Sequence, residues 1–316
     1  MDLITNESSP VSRPLCLMIG NFDGVHLGHQ AIIARAQELA QDHNCATAVL
    51  SFQPHPLKVL SPAKAPRLLQ TPAQKQALLA HHNVDYYIIH QFDEALYTLS
   101  PEAFVAQLKQ KLNFQFLLVG FNFRFGHQRS GDTNTLKELE GKYGYETLVL
   151  PALRDQVGPI SSSRIRKLVA TGETLGAAAL LGRPYFIEGV VGQGQQRGRQ
   201  IQTRTAIIPA TNELMPRFGV YASWCRLDGT TWVRAITNFG LAPTVARETA
   251  LCETHLLDFD GELYGRHIVV TLGAFLRPEQ KFENLDDLRQ QIQIDVAQRN
   301  LLPDTQAPIL TLGLEP

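Results

Sequence analysis

The first half of the chain alternates short apolar runs with amphipathic segments. The apolar runs have the length of buried strands, and we assign strands to residues 15–19, 46–52, 84–90, 116–120 and 147–150. The amphipathic segments predict a helix from about Leu27, one over 72–82, and one over 101–112 that Ser100 caps. Because no hairpin signal joins neighbouring strands, the pattern predicts an α/β fold with a doubly wound, Rossmann-like parallel sheet.

The second half has a different rhythm. A short helix over 172–183 leads to Pro184, and the short alternating segments that follow predict an antiparallel β-barrel. The predicted strands are 186–191, 204–208, 219–227, 232–237, 251–257 and 267–272. A terminal helix would then pack on the barrel through an apolar stripe made of Leu285, Leu288, Ile292 and Val296. We therefore expect two domains, 1–183 and 184–316.

Composition and charge narrow the classes of molecule that this protein is expected to bind. The chain has 316 residues, of which 44% are hydrophobic, so it is long enough to bury two cores. The formal net charge is −1 and 19% of residues are charged, which favours small-molecule partners over a nucleic acid or a membrane surface. The four cysteines include no C-x-x-C pair, which is typical of buried, reduced thiols. No signal peptide and no transmembrane run is found, so we expect a cytoplasmic protein.

The stretch 18–30, M-I-G-N-F-D-G-V-H-L-G-H-Q, joins a strand end, a polar turn and a helix start. Backbone amides and the positive end of the helix dipole favour a phosphate at such a start. His26 and His29 lie three residues apart across it, so both imidazoles can face a phosphate chain, while Gly28 lets the backbone come close. The alternative is a pair of ordinary histidines on a helix edge.

Three more polar stretches follow predicted strands. In Q-P-H-P, prolines flank His55 and hold it in an extended conformation. His55 follows a strand at the edge where α/β sheets bind ligands; the alternative is an ordinary histidine in a rigid loop. F-N-F-R-F-G-H-Q-R-S-G-D, at 121–132, suits a pocket that stacks a planar ring, although such alternation is also typical of core. P-I-S-S-S-R-I-R, at 159–166, predicts either a second phosphate grip at a helix start or a capped helix with solvated arginines.

Together these stretches resemble the bacterial bifunctional riboflavin kinase/FMN adenylyltransferase (FAD synthetase) family. G-N-F-D-G-V-H-L-G-H is similar to its H-x-G-H motif, V-G-F-N-F-R-F-G to V-G-x-[DN]-F-x-F-G, and I-S-S-S-R-I-R to I-S-S-T-x-x-R. A P-H-P also follows the second strand in these enzymes. The resemblance spans about residues 15–300, and it implies that the first half transfers AMP from ATP to FMN, giving FAD and pyrophosphate.

The resemblance also implies residue roles. His26, His29 and Arg166 would be catalytic, because they would neutralise charge that builds up on the phosphates in the transition state. The implied ATP-binding residues are Gly20, Phe22, Asp23, Gly28, Ser162, Ser163 and Arg166. The implied flavin-binding residues are His55, Asn122, Phe123, Arg124 and Phe125.

Two further points concern the role of Asp23 and the binding of the metal ion. Asp23 orients the histidines or their loop, or it only caps a turn. No carboxylate cluster in this half forms a dedicated metal cage, so the Mg²⁺ that accompanies ATP is expected to be held by the phosphates.

The second half resembles the riboflavin kinase module of the same family. The matching stretches are G-R-P-Y, Q-R-G-R, G-V-Y-A, N-F-G-L-A-P-T and C-E-T-H-L-L-D-F-D-G-E-L-Y-G. Glu253 takes the position of the general base that would deprotonate the riboflavin hydroxyl; alternatively it is an ordinary strand glutamate.

One motif of the kinase-like site departs from the family. Where the family has L-G-F-P-T-A-N, this chain has I-Q-T-R-T-A-I. Thr205 is retained as an implied metal ligand, but Ile207 replaces the asparagine that the resemblance gives to Mg²⁺ and ATP phosphate. An isoleucine side chain has no oxygen to offer a metal. Gln202 and Arg204 replace the glycine and the proline, which alters the loop.

These observations lead to one hypothesis and two alternatives. The hypothesis is an FAD synthetase that uses ATP and FMN and whose kinase half has lost most or all activity while keeping its fold. In the first alternative, Gln202 and Arg204 substitute for the missing ligand, and riboflavin is a further substrate of a fully bifunctional enzyme. The second is a non-catalytic flavin-binding relative, and the joint retention of the first-half motifs argues against it.

Overall fold

The computed structural model of the chain describes residues 1–5, 13–192, 205–227, 231–243 and 248–302. Contacts between residues divide the chain into two compact units. The first consists of residues 1–67 and 72–161, and the second of residues 68–71 and those from 162 onward. The first unit contains a six-stranded parallel sheet and the second a six-stranded antiparallel sheet. The predicted α/β architecture is therefore confirmed.

The parallel sheet has the order β1-β4-β3-β2-β5-β6. Its strands are β1 (Asp2–Thr5), β2 (Leu15–Ile19), β3 (Ala46–Gln53), β4 (Tyr86–Gln91), β5 (Phe114–Gly120) and β6 (Glu146–Leu150). The five predicted strands are confirmed to within two residues at each end, because fully buried strands are continuous apolar runs. The edge strand β1 was not predicted, since D-L-I-T contains too few apolar residues to stand out.

Seven helices of the described chain connect or flank these strands in the first unit. They are α1 (Leu27–Asp42), α2 (Pro56–Leu60), α3 (Pro72–His81), α4 (Glu94–Tyr97), α5 (Pro101–Lys111), α6 (Thr133–Glu138) and α7 (Glu140–Tyr143). The predicted cap is confirmed at Ser100, whose Oγ accepts a hydrogen bond from the amide of Ala103 at 3.2 Å. Every residue of β2 is at most 4% exposed, so the strand that leads into the histidine stretch runs through the centre of the core.

The second unit begins with α8 (Ser162–Thr171) and α9 (Thr174–Leu181). The strands follow as β7 (Tyr185–Val190), β8 (Thr205–Pro209), β9 (Gly219–Leu227), β10 (Thr231–Pro243), β11 (Glu248–Leu256) and β12 (His267–Arg277). Their order is β7-β12-β9-β10-β11-β8, with antiparallel ladders throughout. The two edges of the sheet approach each other where the amide of Gly192 donates to the carbonyl of Ile207 at 3.0 Å, which gives a half-closed barrel.

The terminal helix, α10 (Leu285–Leu301), follows β12 as predicted, but its buried residues differ from the predicted stripe. Val296 packs on the sheet against Val220 and Ile236, whereas Leu285 is 47% exposed. The fully buried positions are instead polar, because Asp295 pairs with an arginine at the end of β12.

The two compact units divide at 161/162, before the predicted domain boundary at 183/184. The reason is that α9 packs on β7 and β12, and α8 packs on α9. Residues 68–71 belong to the second unit because the side chain of Asn212 donates to the carbonyl of Leu69 at 3.2 Å. The limits of the two functional domains stay a prediction.

Candidate functional site

The turn between β2 and α1 has an unusual backbone. Phe22 and Val25 have φ angles of 47° and 39°, in the left-handed region that side chains with a Cβ rarely adopt. Gly24, with φ 87°, supplies a third such residue at no steric cost. Both non-glycine residues are at most 1% exposed, so burial of their side chains holds the turn in this conformation.

The two histidines lie face to face at the start of α1. Their ring centroids are 3.7 Å apart and their planes differ by 17°. His26 is the N-cap residue, and its Nδ1 accepts a hydrogen bond from the backbone amide of His29 at 3.4 Å. His26 is 6% exposed, so the pair lies in a largely closed site.

Gly28 makes room for this stack. A Cβ at that position would lie 3.1 Å from both Cε1 and Nδ1 of His26, closer than normal van der Waals contact. Gly28 thus lets the His26 ring approach closely, and its predicted role in admitting a phosphate stays a prediction.

The surroundings of His29 favour its neutral form. The Phe22 ring lies 4.8 Å from the His29 ring, centroid to centroid. Burial lowers the pKa of His29 well below its ordinary value of 6.5, and His26 and Lys75 lower it further. The buried Nδ1 of His29 has no hydrogen-bond partner within the described residues.

His55 is joined to the same turn from β3. Its Nδ1 accepts a hydrogen bond from the amide of Leu57 at 3.2 Å, and its Nε2 lies 3.1 Å from the side-chain nitrogen of Asn21. His55 has the extended ψ angle expected beside prolines, 134°, but it caps α2 instead of lying within a longer loop. The carboxyl ends of β2 and β3 thus bring together the predicted residues Gly20, Phe22, Asp23, His26, Gly28, His29 and His55.

Three residues that sequence reasoning missed also lie in this site: Asn21, Ser51 and Lys75. The Lys75 ammonium donates to the carbonyl of Asn21 at 2.8 Å, and the Ser51 hydroxyl donates to the same carbonyl at 3.2 Å. Asp23, which is 2% exposed, raises the pKa of Lys75 against the stronger lowering effect of burial. No sequence signal marks Lys75, because one lysine on a helix is ordinarily solvated.

The segment after β5 is divided between the core and the surface. Phe125 is 7% exposed and packs in the core against Phe104, with ring centroids 5.5 Å apart. The Phe125 ring thus belongs to the core of the first unit, and its assignment to the flavin stays a prediction. The cause of this burial is a local bridge in which Phe125 and Gly131 exchange two backbone hydrogen bonds and turn the ring inward. The exposed phenylalanine of the segment is Phe121, at 55%.

The other flavin-binding candidates in this segment are less buried. Phe123 is half-buried, with its ring stacked 5.5 Å from that of Phe125. Asn122 is exposed, and Arg124 forms an ion pair with Asp132 at 3.1 Å.

The predicted phosphate-binding residues Ser162, Ser163 and Arg166 lie in the second unit. The helix α8 begins at Ser162, as the sequence predicts, and the Arg166 guanidinium lies 3.5 Å from the Ser163 hydroxyl one turn earlier. The hydroxyls and the guanidinium therefore share the first turns of one helix.

The kinase-like residues lie on neighbouring strands. Ile207 of β8 is paired with Glu253 of β11, and Glu253 is paired with Asn238 of β10 on its other side. Thr205 is paired with His255 two residues along, so Thr205, Ile207 and Glu253 share one face of the sheet. Gln202 and Arg204 lie outside the described residues.

Neither half offers a preformed metal cage in the parts of the chain that the structure describes. No group of three or more histidine, cysteine, aspartate or glutamate side chains is placed to hold an ion there. All four cysteines are buried and unbridged, as predicted. Within the same residues, no helix combines the length and the apolar character that crossing a bilayer requires.

Comparison with known proteins identifies both halves. The FAD synthetase family model matches residues 8–164 and the riboflavin kinase family model matches residues 181–302. The bifunctional riboflavin kinase/FMN adenylyltransferase of Escherichia coli K12 is 37% identical over 293 residues, which cover 92% of this chain and 94% of that protein. The chain belongs to this bifunctional family.

Other members of the family are similar over the same length. The enzyme of the same name from Pseudomonas fluorescens is 38% identical over 91% of this chain and 93% of its own, and that from Bacillus subtilis is 35% identical over 88% and 89%. A solved structure from Streptococcus pneumoniae, described as a macrolide-efflux protein, has a TM-score of 0.83 and 26% identity. It covers 95% of this chain and 100% of the other.

Proposed function

We propose that residues 1–183 form an FMN adenylyltransferase, which transfers AMP from ATP to FMN and releases FAD and pyrophosphate. The observation that carries this proposal is the stacked pair of His26 and His29 at the start of α1, at the carboxyl edge of a parallel sheet. The names of the relatives, which are 35 to 38% identical, support the same substrates.

The chemistry follows from the two rings. The phosphate of FMN attacks the α-phosphorus of ATP in line, the bond to pyrophosphate breaks, and negative charge builds up on the oxygens of the α-phosphate. Because Nδ1 of His26 accepts a hydrogen bond, a neutral His26 carries its proton on Nε2 and has one N–H to donate. Donors of this kind, fixed before the reaction, stabilise the developing charge.

We propose that Mg²⁺ reaches this site on the nucleotide. Asp23 is buried and interacts electrostatically with Lys75, and the described residues contain no metal cage. Bound Mg²⁺ would neutralise charge on the phosphate chain. The assignments of Ser162, Ser163 and Arg166 to the triphosphate, and of His55, Asn122 and Arg124 to the flavin, stay predictions from the motifs.

We further propose that the kinase half has lost most or all activity. The apolar side chain of Ile207 is the cross-strand neighbour of Glu253, at the position where the family motif has an oxygen ligand. In the described part of that motif, residues 205–207, Thr205 is then the one residue whose side-chain oxygen could bind a metal. Retention of Glu253 and the names of the relatives favour the second candidate, a fully bifunctional enzyme.

Replacing both histidines tests the adenylyltransferase proposal. We expect His26→Ala/His29→Ala to lower pyrophosphate release from ATP and FMN by about 100-fold or more, because both donors to the α-phosphate are lost. His81→Ala, at the far end of α3, is the matched control and should retain wild-type turnover. Release that persists in the double variant would place the chemistry elsewhere.

A further inference from the structure

Lys75 occupies an unusual position for a lysine. It belongs to α3, yet its ammonium lies beneath the turn that follows β2, 2.8 Å from the carbonyl of Asn21 and 3.5 Å from the hydroxyl of Ser51. Lysine side chains usually extend into water, and withdrawing an ammonium from water is costly unless hydrogen bonds and opposite charge compensate for it. Here the carbonyl, the hydroxyl and the nearby carboxylate of Asp23 provide that compensation.

The carbonyl that Lys75 holds belongs to the part of the chain that sets the histidines. Asn21 precedes Phe22, whose φ of 47° is strained and whose ring lies 4.8 Å from the His29 ring. The Asn21 side chain also lies within hydrogen-bond distance of His55. A displacement of the Asn21 peptide would therefore move the ring that supports His29.

Lys75 also acts on His29 through its charge. The ammonium is the third contributor to the lowered pKa of His29, after burial and His26. Asp23 partly offsets this positive charge from the same turn. Lys75 is thus linked to the histidine pair by its hydrogen bond to the Asn21 carbonyl and by its charge.

We propose that Lys75 is a positioning residue of the adenylyl-transfer site, whose ammonium holds the Asn21 carbonyl and thereby the strained turn that sets His26 beside His29. This inference rests on the adenylyltransferase function proposed for residues 1–183. Ser51 assists, because its hydroxyl donates to the same carbonyl. Both hydrogen bonds of the Lys75 ammonium engage groups that support the turn, the Asn21 carbonyl and the Ser51 hydroxyl, so the role proposed for Lys75 is to place other side chains.

The test compares Lys75→Met, Lys75→Arg and Ser51→Ala in the full-length protein. Methionine keeps the length of the side chain but removes the donors and the charge, whereas arginine retains both. We expect Lys75→Met to lower kcat for FAD formation by about 10- to 100-fold with little change in KM for FMN, because the histidines are misplaced. Ser51→Ala should lower kcat by a smaller factor, and Lys75→Arg should restore part of the loss. Lys137→Met, an exposed lysine on α6, is the matched control with wild-type kinetics.

A second readout separates positioning from general stability. In imidazole NMR titrations assigned with His29→Ala, the midpoint of His29 should move upward in Lys75→Met, because a neighbouring cation is gone. It should stay low in Ser51→Ala, which retains that cation. Kinetics of Lys75→Met equal to those of Lys137→Met, or an unmoved His29 midpoint, overturn the inference.

Two further outcomes of these experiments have a different meaning. If Lys75→Met does not fold, Ser51→Ala decides: a kcat equal to that of Lys137→Met overturns the inference, and a loss supports it. If wild-type protein forms no FAD from FMN and ATP, it is the proposed function that fails.

Discussion

At the scale of single residues, the histidine pair depends on the absence of a side chain at position 28. A Cβ there would lie 3.1 Å from two atoms of the His26 ring. We expect Gly28→Ala to lower kcat/KM for FAD formation by about 10-fold, because the ring must shift by a few tenths of an ångström. Steady-state kinetics with FMN and ATP measure the effect.

The control for this substitution is Gly141→Ala. A Cβ at Gly141 meets no atom within 4 Å, and this glycine also lies in a helix, α7. Alanine is the better helix former by about 1 kcal/mol, so neither substitution should lower the melting temperature through helix propensity. Equal kinetics for the two variants would show that the His26 ring tolerates the added methyl group.

The buried environment of His29 also predicts a pH dependence of stability. The pKa of His29 is lowered in the folded protein, so the unfolded chain takes up a proton as the pH falls through about 6.5 and the folded protein does not. Protonation therefore favours unfolding, and the free energy of unfolding should decrease below that pH. Denaturant titrations between pH 7.5 and 5.5 should show a shallower pH dependence for His29→Gln than for wild type. Identical slopes would contradict the prediction.

At the scale of elements, the terminal helix is held by a buried ion pair. The Arg277 guanidinium, at the end of β12, binds both carboxylate oxygens of Asp295 on α10, through Nε at 2.9 Å and Nη2 at 2.9 Å. Asp295 is 2% exposed. Asp295→Ala should lower the free energy of unfolding of the second unit by about 3 kcal/mol, because it leaves a largely buried arginine without its counter-charge.

Tryptophan fluorescence during denaturant unfolding measures this effect in the second unit alone, since both tryptophans, Trp224 and Trp232, lie there. Asp286→Ala is the control on the same helix. Its side chain is 90% exposed and pairs with Arg289, so it should change the stability by less than about 0.5 kcal/mol. Equal midpoints for the two variants would mean that the ion pair does not hold the helix.

At the scale of the whole molecule, the two halves are expected to differ in activity. With riboflavin and FMN supplied separately, phosphorylation of riboflavin should be at least about 100-fold slower than adenylylation of FMN, because Ile207 offers no ligand where the family motif has asparagine. Riboflavin turnover close to that of FMN would support the bifunctional alternative.

A gain of function provides the complementary experiment. Restoring two positions of the motif with Arg204→Pro/Ile207→Asn should raise riboflavin phosphorylation by about 10-fold or more and leave FMN adenylylation unchanged. Ile207→Val, which preserves the apolar character, should leave both rates as they are. A double variant with no gain would show that the loss does not originate in these two positions.

The sequence by itself determined most of the elements and predicted the position of the chemistry. Continuous apolar runs predict buried strands, and polar motifs that follow β2 and β3 meet because parallel strands end at one edge. The exchange of asparagine for isoleucine at position 207 is likewise visible without a structure. These features depend on residues close together in the chain or on one shared strand direction.

Only the tertiary structure decided which side chains reach that site. Phe125 faces the core and Phe121 the solvent, although both belong to the same alternating segment. The chain turns after β5, where the amide of Phe123 donates to the carbonyl of Gly120, and the bridge to Gly131 then holds Phe125. The ammonium of Lys75 reaches the carbonyl of Asn21, 54 residues earlier in the chain, and the hydroxyl of Ser51. Contacts of this kind join residues far apart in sequence, and no local pattern of hydrophobic and polar positions encodes them.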